Sequence, residues 1–290
     1  MHQAIIKISR FVLTKPYGIA GLLCLACVSL QAPCAFAQDL EVTLPSGVKA
    51  LAEFHAGRTS QPAILILHGF LQTHHSPPMS SLASNLTSKE FTVLNPTISL
   101  GFSKRSQSSA CEAVHTYTME EEVAEIGYWV NWLAQKGYKD IVLIGFSSTG
   151  NLGVLLYNAQ SNHFPIRKSI LVSLNPLNMN TAEHLKIQRK AGAQRNNISR
   201  FNLGYCKNNF AGTDKSYLSY ARHDENNMLE LLQHTTVPSE LIFGTDDHIL
   251  PADWLSRIES HHAQSPFTVS QISGANHFFG HFRIRPVRSR

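Results

Sequence analysis

The chain of 290 residues is 43% hydrophobic and 16% charged, with a formal net charge of +5. Those proportions suit one ordinary globular domain with a large core and exclude disordered, fibrous and low-complexity classes. Three of the positive charges and none of the negative ones fall in residues 1–37, so the remainder carries only +2 and offers no basic surface for a nucleic-acid partner.

The N-terminus reads as a targeting segment. Lys7, Arg10 and Lys15 precede the apolar run 19–30, and Ala35, Phe36 and Ala37 form a small-residue site before Gln38. This is the pattern of a secretory signal cleaved after Ala37, which makes the protein an exported one, periplasmic or secreted. An apolar run of about 12 residues falls short of the roughly 20 that span a bilayer, so no stable membrane span is expected. Cys24, Cys27 and Cys34 leave with the signal. Cys111 and Cys206 then remain as a pair in an oxidising compartment, where a disulfide is expected.

From Gln38 onward, short apolar runs alternate with longer amphipathic ones, the signature of βα units around a mostly parallel sheet. Segments 40–44 and 48–54 form an opening hairpin, 63–67 is the first strongly buried strand, 80–87 a helix and 92–95 the next strand. A polar loop covers 101–117. Thr118 with Glu121 makes a capping box, and Val123, Ile126, Val130 and Leu133 follow at helical spacing. Strand 141–144 leads into a helix carrying Leu152, Leu155 and Leu156, and 169–172, 240–243 and 267–272 supply the remaining strands. The expected fold is α/β, a doubly wound sheet of about eight strands spanning residues 38–290. About 60 residues, 176–237, interrupt the alternation and exceed any usual loop. They read as a cap insertion, partly helical over 181–191 and 225–233. Its Lys186, Arg189, Lys190, Arg195 and Arg200 read as a solvated basic face, with attraction of an anionic substrate as the alternative.

The chemistry starts at Gly145, Phe146 and Ser147, where a β-branched strand breaks abruptly into a helix-like stretch. A turn of so few residues holds its corner residue in a strained conformation and lifts the side chain above the sheet edge. Ser147 is that corner. A serine hydroxyl needs a base to take its proton, and the base needs a carboxylate to fix its tautomer. Strand 240–243 runs into Asp246 and Asp247, and strand 267–272 runs into His277. Each group therefore stands at the C-terminal end of a strand, where open α/β sheets carry their sites.

Together these segments resemble the α/β-hydrolase superfamily over most of the chain beyond Gln38. Gly145, Phe146, Ser147, Ser148 and Thr149 are similar to its nucleophile elbow, and 244–251 to its acid loop, with Leu250 at a position usually held by valine. His68, Gly69 and Phe70 are similar to its oxyanion loop. The resemblance implies Ser147 as nucleophile, Asp247 as acid and His277 as base, with the backbone N–H groups of Phe70 and Ser148 facing the developing oxyanion. It implies an exported serine hydrolase acting on a small-molecule acyl ester through an acyl-enzyme, with no cofactor or metal. A peptidase or amidase would use the same triad. A binding protein with a degenerate elbow is the non-enzymatic alternative.

The departures are local. Thr149 replaces the second elbow glycine, with Gly150 one place later, which leaves open a frame centred on Ser148. Asp246 competes with Asp247, and His281 with His277. His68 reads as an anchor of the oxyanion loop, and His74, His75, His261 and His262 lack carboxylates or cysteines at ligand spacing. The short arginine-rich tail after His277 leaves little of the family's final helix.

Overall fold

The computed structural model describes residues 38–160, 164, 166–190, 197–261 and 267–279. The leader expected over 1–37, His262 and His281 lie outside them. Eight strands form one sheet: β1 (Gln38–Thr43), β2 (Lys49–His55), β3 (Ala63–Leu67), β4 (Thr92–Thr97), β5 (Ile141–Phe146), β6 (Lys168–Val172), β9 (Ser239–Gly244) and β10 (Phe267–Ile272). Their order is β1-β2-β4-β3-β5-β6-β9-β10. The β1–β2 and β2–β4 pairs are antiparallel and all the other neighbours are parallel.

Alternation of side chains across the parallel strands sends residues to two separate cores. Leu65, Leu67, Leu143, Leu171 and Leu241 pack with helices α2 (Met119–Gln135) and α3 (Ser147–Asn158) on one face. Ile64, Ile66, Val142, Ile144, Ile170 and Ile242 pack with α1 (Pro77–Thr87) on the other. Coverage of both faces is why these strands read as unbroken apolar runs rather than alternating ones. Thr118 caps α2 as the sequence requires, its side chain accepting from the Glu121 N–H while the Glu121 carboxylate accepts from the Thr118 N–H.

Element boundaries differ from the sequence reading in two instructive places. Helix α1 starts at Pro77, earlier than residue 80, because proline lacks only an N–H that the first turn leaves unpaired anyway. Strand β4 continues through Pro96 to Thr97, since β3 pairs with it only from Thr92 to Leu94 and beyond that one edge makes no ladder bond.

Between β6 and β9 lie α4 (Thr181–Lys190), the strand pair β7 (Ile198–Phe201) and β8 (Phe210–Thr213), α5 (Asp214–Ala221) and α6 (Glu225–His234). The hairpin and α5 were not read from the sequence. Their strands are four residues long and α5 is polar, so neither carries a readable period. Cys111 in the 101–117 loop is bonded to Cys206 in the turn between β7 and β8, with 5.5 Å between their Cα atoms. Helix α7 (Trp254–His261) follows β9 and packs Trp254 and Ile258 into the first core. Among the described residues no helix is long and apolar enough to cross a membrane.

Candidate active site

Strand β5 delivers Ser147 with φ of +57°, left-handed backbone that a non-glycine residue adopts at a cost of about 1 kcal/mol or more. The corner is held by what surrounds it. The fully buried Asn151 side chain donates to the carbonyls of Ser147 and Val172, the latter at 2.9 Å, tying the elbow to the end of β6. A Cβ on Gly150 would meet the carbonyl oxygens of His68 and Leu67 at 2.6 and 2.7 Å. The close approach of helix to strand therefore falls at Gly150, one residue beyond the usual position, and Thr149 is simply a buried residue of the first turn.

Ser147 Oγ lies 2.8 Å from His277 Nε2, and His277 Nδ1 lies 2.7 Å from Asp247 Oδ2. The Asp247 side chain is fully covered and that of His277 is 3% exposed, so water does not compete for the bond between them. A carboxylate accepting at Nδ1 fixes the tautomer in which Nε2 is free to accept the serine proton. Asp246 turns its carboxylate to the Thr245 hydroxyl, and of the two adjacent serines it is Ser147 whose hydroxyl meets His277 Nε2.

Two loops bring these groups together. A Cβ on Gly244 would meet the Ala275 carbonyl at 2.1 Å, so only glycine lets the acid loop and the histidine loop touch there. Ser173, at φ of +50° past β6, donates from its hydroxyl to the His277 carbonyl at 2.8 Å, and the His277 ring lies near those of Phe146 and Phe278.

Sequence reasoning missed Asn175, whose Oδ1 lies 3.1 Å from Ser147 Oγ. Its place just past the C-terminal end of β6 is the signal that would have found it. Ser147, Asn175 and His277 line a cavity of about 970 Å³. Phe70 and Ser148 line it together with Ser147, as do Leu177, Tyr205, Lys207 and Asn226 from the β6–β9 segment. A volume of this order suits a small-molecule ligand. A smaller cavity of about 300 Å³ lies between the β1–β2 turn and α2, lined by Tyr117, Glu122 and Glu125, and touches none of Ser147, Asp247 and His277.

The remaining histidines have structural places. His68 is buried beside the Arg105 guanidinium, and burial together with that charge pulls its pKa down to about 3, so the ring is neutral. Burial likewise lowers His74 to about 4. The His75 ring lies tilted against that of His74, and His261 ends α7 on the surface. No group of three or more metal-ligating side chains gathers among the described residues. Of the basic residues in the 176–237 segment, Arg200 is exposed and directed to Asn209, while Arg195 lies outside the described residues.

A family model for the alpha/beta hydrolase fold matches residues 62–214. No curated protein matches the sequence. Among solved structures, an esterase from Pyrococcus furiosus is similar at 17% identity and a TM-score of 0.54, over 84% of each chain. Est1E from Butyrivibrio proteoclasticus is similar at 16% identity and a TM-score of 0.58, over 84% of this chain and 91% of that one. A monoacylglycerol lipase from Paleococcus ferrophilus is similar at 15% identity and a TM-score of 0.57, over 79% and 90% of the two chains. At such identities the likeness is one of fold. With the matched model covering more than half of its length, the chain belongs to the α/β-hydrolase fold family.

Proposed function

We propose that the protein is a serine hydrolase that cleaves a carboxylic ester or related acyl substrate through an acyl-enzyme. The observation that carries the reading is the unbroken line of hydrogen bonds from Ser147 Oγ through His277 to Asp247 at the mouth of a cavity. Ser147 Oγ attacks the acyl carbon as its proton passes to His277 Nε2, and Asp247 stabilises the imidazolium without taking a proton itself. The N–H groups of Phe70 and Ser148 receive the oxyanion. Collapse of the tetrahedral intermediate breaks the bond to the alcohol, which leaves with the proton from His277. Water, deprotonated by the same ring, then attacks the acyl-serine and releases the acid.

The names of the similar structures, an esterase and a monoacylglycerol lipase, support an ester over an amide as the bond cleaved. Turnover of p-nitrophenyl esters against matched anilides tests this, and anilide turnover equal to or above ester turnover would reverse it. We assign residues 1–37 to a cleaved export signal and about 176–237 to a cap over the cavity. The Cys111–Cys206 bond supports an oxidising destination. A mature N-terminus at Gln38, read by sequencing the exported protein, is the expected result, and an intact Met1 in that fraction would refute the assignment.

A further inference from the structure

Arg105 is 7% exposed, yet among the described residues no carboxylate pairs with it. Its guanidinium is instead spent on backbone carbonyls from three stretches of chain, one of them the residues just past Phe70. Nη2 donates to the Gln72 carbonyl at 2.7 Å and the Ile98 carbonyl at 2.6 Å, Nε donates to Ile98 O at 2.9 Å, and Nη1 reaches the carbonyls of Gln107 at 3.1 Å and Leu71 at 3.4 Å. Leu71 sits at φ of +57°, so the chain just past Phe70 is strained and requires such fastening.

The same Nη2 also lies 3.2 Å from His68 Nε2, which accepts in addition from the Ile98 N–H at 3.0 Å. With the Ile98 N–H donating to Nε2, the ring proton belongs on Nδ1, and Nδ1 lies 2.9 Å from the Gly69 carbonyl oxygen. That oxygen accepts a second bond from the Gln72 N–H at 3.1 Å. Gly69 C=O and Phe70 N–H are the two ends of one planar peptide, antiparallel to each other. Whatever fixes the oxygen fixes the direction of the N–H, and whatever pulls electron density toward the oxygen makes that N–H a stronger donor.

We propose that Arg105 and His68 form a relay on the electrophilic side of the site, aiming and polarising the Phe70 N–H toward the oxyanion. It mirrors the arrangement on the other side, where Asp247 acts on the nucleophile through His277. Arg105 is a positioning residue here, touching no reacting atom. The inference rests on the hydrolase reading above.

The test compares oxyesters with the matching thionoesters in wild type, Arg105→Lys and His68→Asn. Arg105→Lys keeps the charge and loses the fork. His68→Asn keeps a donor near Gly69 O and loses the link to Arg105. Removing one oxyanion donor outright costs about 10²–10³ in kcat, so misdirecting one is expected to cost about 10–100-fold, with KM changed less than about threefold. Sulfur accepts hydrogen bonds poorly, so the wild-type preference for the oxyester should shrink in each variant by a similar factor. That ratio does not depend on how much of a preparation is folded, and either variant suffices if the other fails to fold. A ratio equal to wild type in an active variant overturns the relay and leaves the triad intact. Wild-type protein that turns over neither ester series overturns the hydrolase reading itself.

Discussion

His277 stands between two oxygen atoms, 2.8 Å from Ser147 Oγ on one side and 2.7 Å from Asp247 Oδ2 on the other, with the aspartate side chain wholly covered. In the proposed mechanism a bond so shielded orients the ring and stabilises its charged form. Asp247→Asn removes the charge and permits the wrong tautomer. It is expected to lower kcat by a factor on the order of 10³–10⁴ with little change in KM. Asp246→Asn should stay within a few-fold of wild type, because Asp246 faces Thr245 and solvent. Parallel kinetics on the two variants check this, and a reversed order would reassign the acid.

Gly150 carries the tight contact of the elbow. Gly150→Ala drives a methyl group into the Leu67 and His68 carbonyls and is expected to destabilise by about 1–3 kcal/mol, with loss of activity beyond the loss of folded protein. Thr149→Gly should keep most of the activity. Thermal melts with active-site titration read both effects.

The Cys111–Cys206 bond closes a segment with a sequence separation of 95 and fastens the turn that holds Tyr205 against Phe70, whose rings lie 5.5 Å apart. Loss of the bond in Cys111→Ser is expected to cost about 2–5 kcal/mol. Reductant should lower the melting temperature of wild type toward that of the variant and leave the variant unmoved. Melting curves with and without reductant measure it.

Glu122, in the first turn of α2, is buried and accepts from the Tyr220 hydroxyl. Burial raises its pKa from 4.5 to about 7, against the opposing pull of Tyr220 and Arg105. Between those values the folded protein holds more protons than the unfolded chain, so this group makes stability fall as pH rises from about 4.5 to 7 and level off above. The full loss is on the order of 3 kcal/mol. Glu122→Gln should match wild type near pH 4.5 and exceed it at pH 8, as measured by denaturant midpoints across that range.

Much of this molecule was legible because parallel strands leave long apolar runs and their ends collect chemistry. Ser147 and Asp247 each followed such a run, His277 followed the mixed edge strand β10, and the capping box at Thr118 marked α2 directly. Arg105 could not be read that way. In sequence it is one cation in a polar loop, and only the fold reveals that it is buried on backbone carbonyls. Asn151 and Ser173 were hidden for a related reason, since their partners are main-chain oxygens 21 and 104 residues away. The β7–β8 hairpin is held by a disulfide and by the bridge of Gly212 to His115, not by a period in its own residues.

The central claim is that Ser147 is the nucleophile. Reaction of the purified protein with a fluorophosphonate probe, digestion and mass spectrometry should place a single adduct on Ser147, abolished in Ser147→Ala and retained in Ser148→Ala. An adduct on Ser148, or no adduct on folded protein, would contradict it.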